Sequence, residues 1–401
     1  MEQKDRIAKL CDEVRKLADS RENFQILQRW QGVNQDTKDV SVTHGASVWH
    51  GVSSTLLTKN SIVPFTVDPE IACWSRILGF DMTEYYTNPL CYLENSLKTK
   101  LERFKVLKDD SYVTKLISIF IGVNLEPSMF GVPSVYQPDR DPANDSHSPV
   151  IHSHEDLDKL KAPDFKTSGI MPLVHRFYSE IRSALPEDFS VAFPIWGRGP
   201  WGVAQHLMGF ENLMLAVYDD PDMVHRLMSF IVECQKEWLL ARASFLGQEL
   251  SLGVMYNDEV NCRVFSPAMY EEFVFPYETE IADFQNGITY WHSCGDSGPI
   301  LKFVKKLKNL QMHDVSAWTD WDVAAVELKG TGIALEVRLH PVKDVLFASQ
   351  EQMRDKLRRL RETFTGLPVT VRADGLQSVT NLKDDLKKIC EWSAIANEML
   401  H

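Results

Sequence analysis

Ile288-Thr289-Tyr290-Trp291-His292-Ser293-Cys294-Gly295 is a short apolar run that stops on residues able to carry a proton or bind a metal. The same arrangement recurs on either side of it. Residues 252–256 are closed by Asn257-Asp258-Glu259, and residues 310–312 by His313-Asp314. Residues 333–337 are closed by Arg338-Leu339-His340, and residues 369–371 by Arg372-Ala373-Asp374-Gly375. The stretches between them carry mostly helical signals. Strand alternating with helix predicts a parallel sheet, and in a closed parallel barrel the active site gathers where the strands end. The expectation is an α/β chain, a (β/α)8 barrel with its polar strand ends at one mouth, and therefore an enzyme.

Working outward, the whole chain of 401 residues reads as a single domain, of which residues 1 to about 110 form a mainly helical N-terminal extension. It is 44% hydrophobic and 25% charged, a mix able to bury a substantial core. The net charge of −13 excludes the basic face that nucleic acid or an anionic membrane would require. Seven cysteines, an odd number scattered without a repeat, are no disulfide framework and point to a reducing cytoplasm. No apolar run approaches the ~20 residues of a membrane helix, and the charged start Met1-Glu2-Gln3-Lys4-Asp5 leads into no signal-peptide core.

Residues 4–30 read as helical, with Ile7, Leu10, Cys11, Val14 and Leu17 on one face, whereas residues 36–58 lack periodicity. A second helix is expected after Asp68-Pro69, through Trp74 and Leu78 to Gly79, with Tyr85-Tyr86 and Asn88-Pro89 following as loop. Residues 138–148 are rich in breakers and read as an exposed loop. Ser153 is a good N-cap with Glu155 and Asp156 in the first turn, so His152 and His154 mark a helix entrance rather than ligands. Residues 172–184 predict a helix and residues 189–195 a strand ending at Trp196-Gly197-Arg198-Gly199-Pro200-Trp201. Long helices are expected over 202–217 and 221–245, the latter opened by Asp219-Asp220-Pro221.

His292-Ser293-Cys294 carries the sharpest chemistry. Residues i and i+2 of a strand point to the same side, so imidazole and thiolate converge as zinc requires. The pair alone also fits buried structure; its place at a strand end, among similar ends, points to a metal. Asp258 and Glu259 read either as a cap for the next helix or as a general acid or further ligand at the mouth. His313 is a weaker catalytic candidate, and His340 a substrate-binding one together with Asn257. Arg338 and Arg372 read as partners of acidic neighbours or as holders of an anionic group. Trp196 and Trp201 bracket Arg198 in a Gly-Arg-Gly-Pro turn, and all three are candidates to line a flat apolar pocket.

Several motifs in fixed order carry a family resemblance. Trp196-Gly197-Arg198-Gly199-Pro200-Trp201 leads into His206-Leu207-Met208-Gly209-Phe210-Glu211-Asn212 and Tyr218-Asp219-Asp220-Pro221. Asp258-Glu259, Phe265-Ser266-Pro267-Ala268-Met269-Tyr270, Phe275-Pro276-Tyr277 and His292-Ser293-Cys294-Gly295-Asp296 follow. From about residue 151 onward the chain resembles the uroporphyrinogen decarboxylase superfamily. The decarboxylases themselves carry an arginine-rich N-terminal signature, of which this chain has only Arg29-Trp30-Gln31-Gly32. The methyltransferase branch instead uses an H-x-C and a distant Cys-Gly to bind zinc, and exchanges methyl groups with a cobalt corrinoid on a partner protein.

That resemblance implies a zinc enzyme that works with a corrinoid protein carrying cobalamin, with His292 and Cys294 as ligands. Where the branch has its second thiolate, this chain has Asp374-Gly375, so Asp374 is the implied third ligand. A carboxylate leaves the metal harder and more electrophilic. The implied reaction is O-demethylation of a small methoxylated, preferably aromatic, donor onto cob(I)alamin, with Glu259 or Asp258 delivering a proton. The alternatives are methyl transfer from the corrinoid to a thiol such as coenzyme M, and decarboxylation of a tetrapyrrole.

Overall fold

The computed structural model describes residues 2–30 and 62–401; the aperiodic stretch 36–58 lies outside the described residues. The strands, in chain order, are β1 (Phe65–Pro69), β2 (Leu116–Ser118), β3 (Ser134–Gln137), β4 (Arg140–Asn144) and β5 (Ser190–Ala192). They continue as β6 (Gly253–Tyr256), β7 (Ile288–His292), β8 (Met312–Val315), β9 (Ala334–Leu339) and β10 (Val369–Leu376). Six of them form one parallel sheet in the order β1-β10-β9-β8-β7-β6. β2 and β5 pair in parallel separately, and the chain beyond β5 reaches the main sheet: Tyr256 donates to Gly197 O at 2.7 Å and Gly199 N–H to Tyr256 O at 2.9 Å. The result is an α/β fold with a curled parallel sheet and helical crossovers. Between β1 and β2 no ladder is present among the described residues.

The strands outrun the apolar runs that announced them. β8 includes His313 and Asp314, β9 includes Arg338, and β10 extends through Arg372 and Asp374. Strand side chains alternate between the two faces of a sheet. Here one face meets the helices and carries Trp291, His313, Leu335, Val337 and Val371. The other carries Tyr290, His292, Asp314, Glu336, Arg338, Arg372 and Asp374, which bond to one another across the strands. A sheet whose inner face is this polar cannot read as a long apolar run.

Local signals explain the helices and several corrections. Gly79 ends Ile71–Leu78 and Ser153 caps His154–Lys159 by accepting from Asp156 N–H, both as expected. Asp220 caps the helix Pro221–Leu246 through Met223 N–H. Residues 4–30 form two helices, Gln3–Ala18 and Arg21–Arg29, because Ser20 starts a new one by capping Asn23 N–H. The helix expected over 202–217 is likewise two, Pro200–Met208 and Phe210–Asp219, since Gly209 sits at φ 82°, a conformation glycine alone adopts freely. Asn88-Pro89 is no loop: Asn88 caps and Pro89 opens the helix Pro89–Leu107. Residues 138–148, read as loop, hold β4, antiparallel to β3 across a turn at Pro138-Asp139. The N-terminal region is mainly helical where described, yet it also supplies β1 to the main sheet. Among the described residues no helix is long and apolar enough to cross a membrane.

Candidate active site

Three side chains meet where β6 and β7 end. His292 Nε2 lies 3.0 Å from Asp258 Oδ1 and 3.4 Å from Cys294 Sγ, and the three donor atoms all fall within 4.8 Å of one another. Zinc–nitrogen and zinc–sulfur bonds of normal length place tetrahedral ligands about 3.3–3.8 Å apart, so this donor set fits with small adjustment. Imidazole, thiolate and carboxylate are all accepted by zinc. His292 is buried while Asp258 and Cys294 are exposed, so the group opens to solvent as a catalytic site does. The backbone enforces the meeting: Asn257 N–H donates to His292 O at 2.8 Å, tying the end of β6 to the H-x-C segment.

A buried charge network stands behind these donors. His292 Nδ1 lies 2.7 Å from Asp314 Oδ2. Arg338 donates Nε–H to Asp314 at 2.8 Å, a terminal N–H to Asp374 at 2.8 Å and another to Ser293 O at 2.9 Å. Arg372 pairs with Asp68 (2.7 Å), Asp374 (3.0 Å) and Glu336 (3.3 Å). Burial opposes charge on Asp314, but Arg338 and His292 outweigh it and hold its carboxyl below the usual range. Burial and Arg338 both disfavour an imidazolium at His292; Asp314, Cys294 and Asp258 together reverse that and raise its pKa well above the ordinary value. Burial likewise opposes charge on Asp258, and the His292 hydrogen bond and charge hold it down nonetheless. A carboxylate on the far nitrogen of a ligating histidine fixes tautomer and ring orientation, which is the part Asp314 is placed to play.

Asp374, the expected third ligand, is held elsewhere. Its two oxygens are taken by Arg338 and Arg372, and Asp258 stands beside His292 and Cys294 instead. An arginine pair is a better partner for a buried carboxylate than an open position, so Asp374 is drawn along β10 toward it.

Glu259 belongs to a second cluster. Its carboxylate is bonded by Arg198 and lies 3.1 Å from His206 Nε2. Burial pushes Glu259 up, Arg198 and His206 bring it below its ordinary value, and a group held as carboxylate is a poor general acid. Glu126 anchors the turn by accepting from Gly197 N–H (2.9 Å) and Arg198 N–H (3.2 Å). Gly199 leaves space for Asn257: a Cβ there would meet Asn257 Oδ1 at 1.9 Å.

Five further candidates stand away from the donor group. Trp196 and Trp201 are fully buried, Trp196 against Phe130 and Trp238 and Trp201 against Phe265, so they are packing and line no open pocket. His313 faces the helices, stacked on Trp291 at 5.1 Å with Ser297 Oγ 3.2 Å from Nε2, and burial pulls its pKa down to about 4. Side-chain alternation permits only one of His313 and Asp314 on the inner face, and it is Asp314. His340 caps its own turn, accepting from Val342 and Lys343 N–H, with its ring on Trp318. Asn257 is fully buried, and its backbone N–H makes the bond to His292 O. Asp314 is the main residue that reading the sequence missed; Val315 and His313 share one face by alternation, which leaves Asp314 on the other.

Residues 76–367 match the family model described as uroporphyrinogen decarboxylase. The uroporphyrinogen decarboxylase of Cupriavidus necator is 24% identical over 230 residues, 53% of this chain and 60% of that relative. The chain therefore spans about three fifths of the length of the curated decarboxylases it matches. A methylated-thiol–coenzyme M methyltransferase of Methanosarcina mazei is 24% identical over 188 residues, 46% of this chain and 48% of that one. A solved methyltransferase from Methanosarcina mazei superposes with a TM-score of 0.61 at 17% identity, covering 85% of this chain and 96% of that chain, a likeness of fold.

Proposed function

The chain belongs to the uroporphyrinogen decarboxylase family, and on that premise we propose that it is a corrinoid-protein-dependent methyltransferase built on a complete (β/α)8 barrel. It moves a methyl group from a small methoxylated compound, preferably aromatic, to cob(I)alamin on a separate corrinoid protein in the cytoplasm. The observation that carries the reading is the convergence of Asp258, His292 and Cys294 on one point. These three would hold zinc, and zinc supplies a Lewis acid to the ether oxygen, where charge develops as the alkoxide or phenoxide leaves.

The chain's own residues do the rest. Asp314 orients His292, and Arg338 fixes both Asp314 and the backbone at Ser293, so the donors are set before substrate arrives. Cobalt on the corrinoid partner would supply the nucleophile, so the protein would need no nucleophilic side chain of its own. Arg29, in the chain's only nearby candidate for the decarboxylase signature, is paired with Asp110 at 2.6 Å. That argues against a tetrapyrrole with many carboxylates.

Metal analysis of the purified protein, followed by incubation with methoxybenzenes and cob(I)alamin, tests the proposal. Methylcobalamin formation that depends on the metal supports it. Metal-free protein after zinc loading, or no methyl transfer across the panel, overturns it. The second reading, methylation of a thiol, is favoured by the relative whose name carries coenzyme M. Rapid thiol methylation without ether cleavage would select it.

A further inference from the structure

Asp374 is the outermost acid of the network it belongs to. Its side chain keeps 13% of its surface, against 9% for Arg338, 1% for Arg372, 1% for Glu336 and none for Asp314. Each of its oxygens takes one guanidinium, Arg338 at 2.8 Å and Arg372 at 3.0 Å. Both arginines also reach deeper acids and backbone, Arg338 to Asp314 and Ser293 O, and Arg372 to Asp68 and Glu336. The N–H groups that hold Asp374 are thus those that meet the most exposed acid of this network. They also adjoin the candidate metal position, since the Arg338 nitrogen that binds Asp374 lies 3.7 Å from Cys294 Sγ.

Two guanidiniums converging beside a reaction centre form a seat for a carboxylate or sulfonate. In this chain the seat holds a carboxylate of its own. We propose that Asp374 is a specificity-determining residue: it fills the anion seat of Arg338 and Arg372, so that the site rejects ligands with an anionic group at that position and accepts neutral ones. This rests on the methyltransferase reading for what is transferred, and on the geometry alone for which ligands are refused. An anionic ligand entering the unaltered site meets a fixed like charge next to two already neutralised cations, and has no unpaired donor there to reward its desolvation.

The test is binding, with no corrinoid and no turnover, so it stands apart from the methyl-transfer assays. Acetate and benzoate are titrated calorimetrically into the full chain, into Asp374→Ala and into Asp374→Ala/Arg338→Met. The unaltered protein is expected to show no saturable binding. Asp374→Ala should bind both anions at least tenfold more tightly, with a rise in Tm on adding acetate, and the double variant should lose that gain. Asp374→Asn, which keeps shape without charge, covers the case in which the alanine variant fails to fold, and should show a smaller gain of the same sign. Saturable benzoate binding by the unaltered protein, displaced by acetate, overturns the proposal. So does a folded Asp374→Ala or Asp374→Asn with no gain in anion affinity. If no methoxyarene is demethylated while the variants gain acetate binding, the seat stands and the donor assignment falls.

Discussion

His292 Nδ1 on β7 lies 2.7 Å from Asp314 Oδ2 on β8, a contact between neighbouring strands that aims the other ring nitrogen at Asp258 and Cys294. The candidate ligand histidine is thereby set by the penultimate residue of the next strand rather than by its own loop.

Asp314→Asn should lower zinc affinity by about 10–100-fold, the usual effect of losing the partner behind a ligating histidine. The asparagine keeps the shape, so secondary structure should survive although Arg338 loses a charge partner. Competition with a chromophoric chelator measures it; an unchanged affinity would mean that His292 needs no orienting carboxylate.

Asp258→Asn and Asp374→Asn separate the two candidate ligand sets. The first should release zinc on dialysis, while the second should retain it, because Asp374 is bound to arginines and Asp258 to the His292 and Cys294 group. Metal content per chain by mass spectrometry decides, and the opposite result restores Asp374 as the third ligand.

Trp201→Ala should act on stability rather than on substrate affinity. The indole is fully buried against Phe265, and deleting such a side chain costs about 3–5 kcal/mol. Denaturant unfolding should register the loss; a raised KM with unchanged stability would return Trp201 to the substrate pocket.

Glu278 gives a pH signature away from the metal donors. Burial pushes its pKa from 4.5 up to about 7, offset in part by hydrogen bonds from Tyr270 (2.6 Å) and Trp291 (3.0 Å). The folded state therefore keeps a proton that the unfolded chain has already lost between those two values. Stability from this group is full below pH 4.5 and is lost as pH rises through about 7. Glu278→Gln should flatten that slope and leave the variant relatively more stable at pH 8. Parallel slopes for the two proteins would show that Glu278 is ionised in both states.

The sequence by itself determined that strands alternate with helices, where β6 to β10 lie, and that His292 and Cys294 come together at the end of β7. Those are consequences of local period and of residue type, which a linear chain displays. It also displayed the caps at Ser153 and Asp220 and the stop at Gly79, since each acts within one turn. Only the tertiary structure decided which carboxylate joins the pair. Asp258 and Asp374 both follow apolar runs and look equivalent in sequence, but the arginines at 338 and 372 come from adjacent strands and claim one of them. The same is true of the aromatic residues, because whether Trp196 and Trp201 line a pocket or fill the core depends on Phe130, Trp238 and Phe265, all distant in the chain. Pairing between charges and packing between rings are settled by what arrives from other elements, and no local pattern records it.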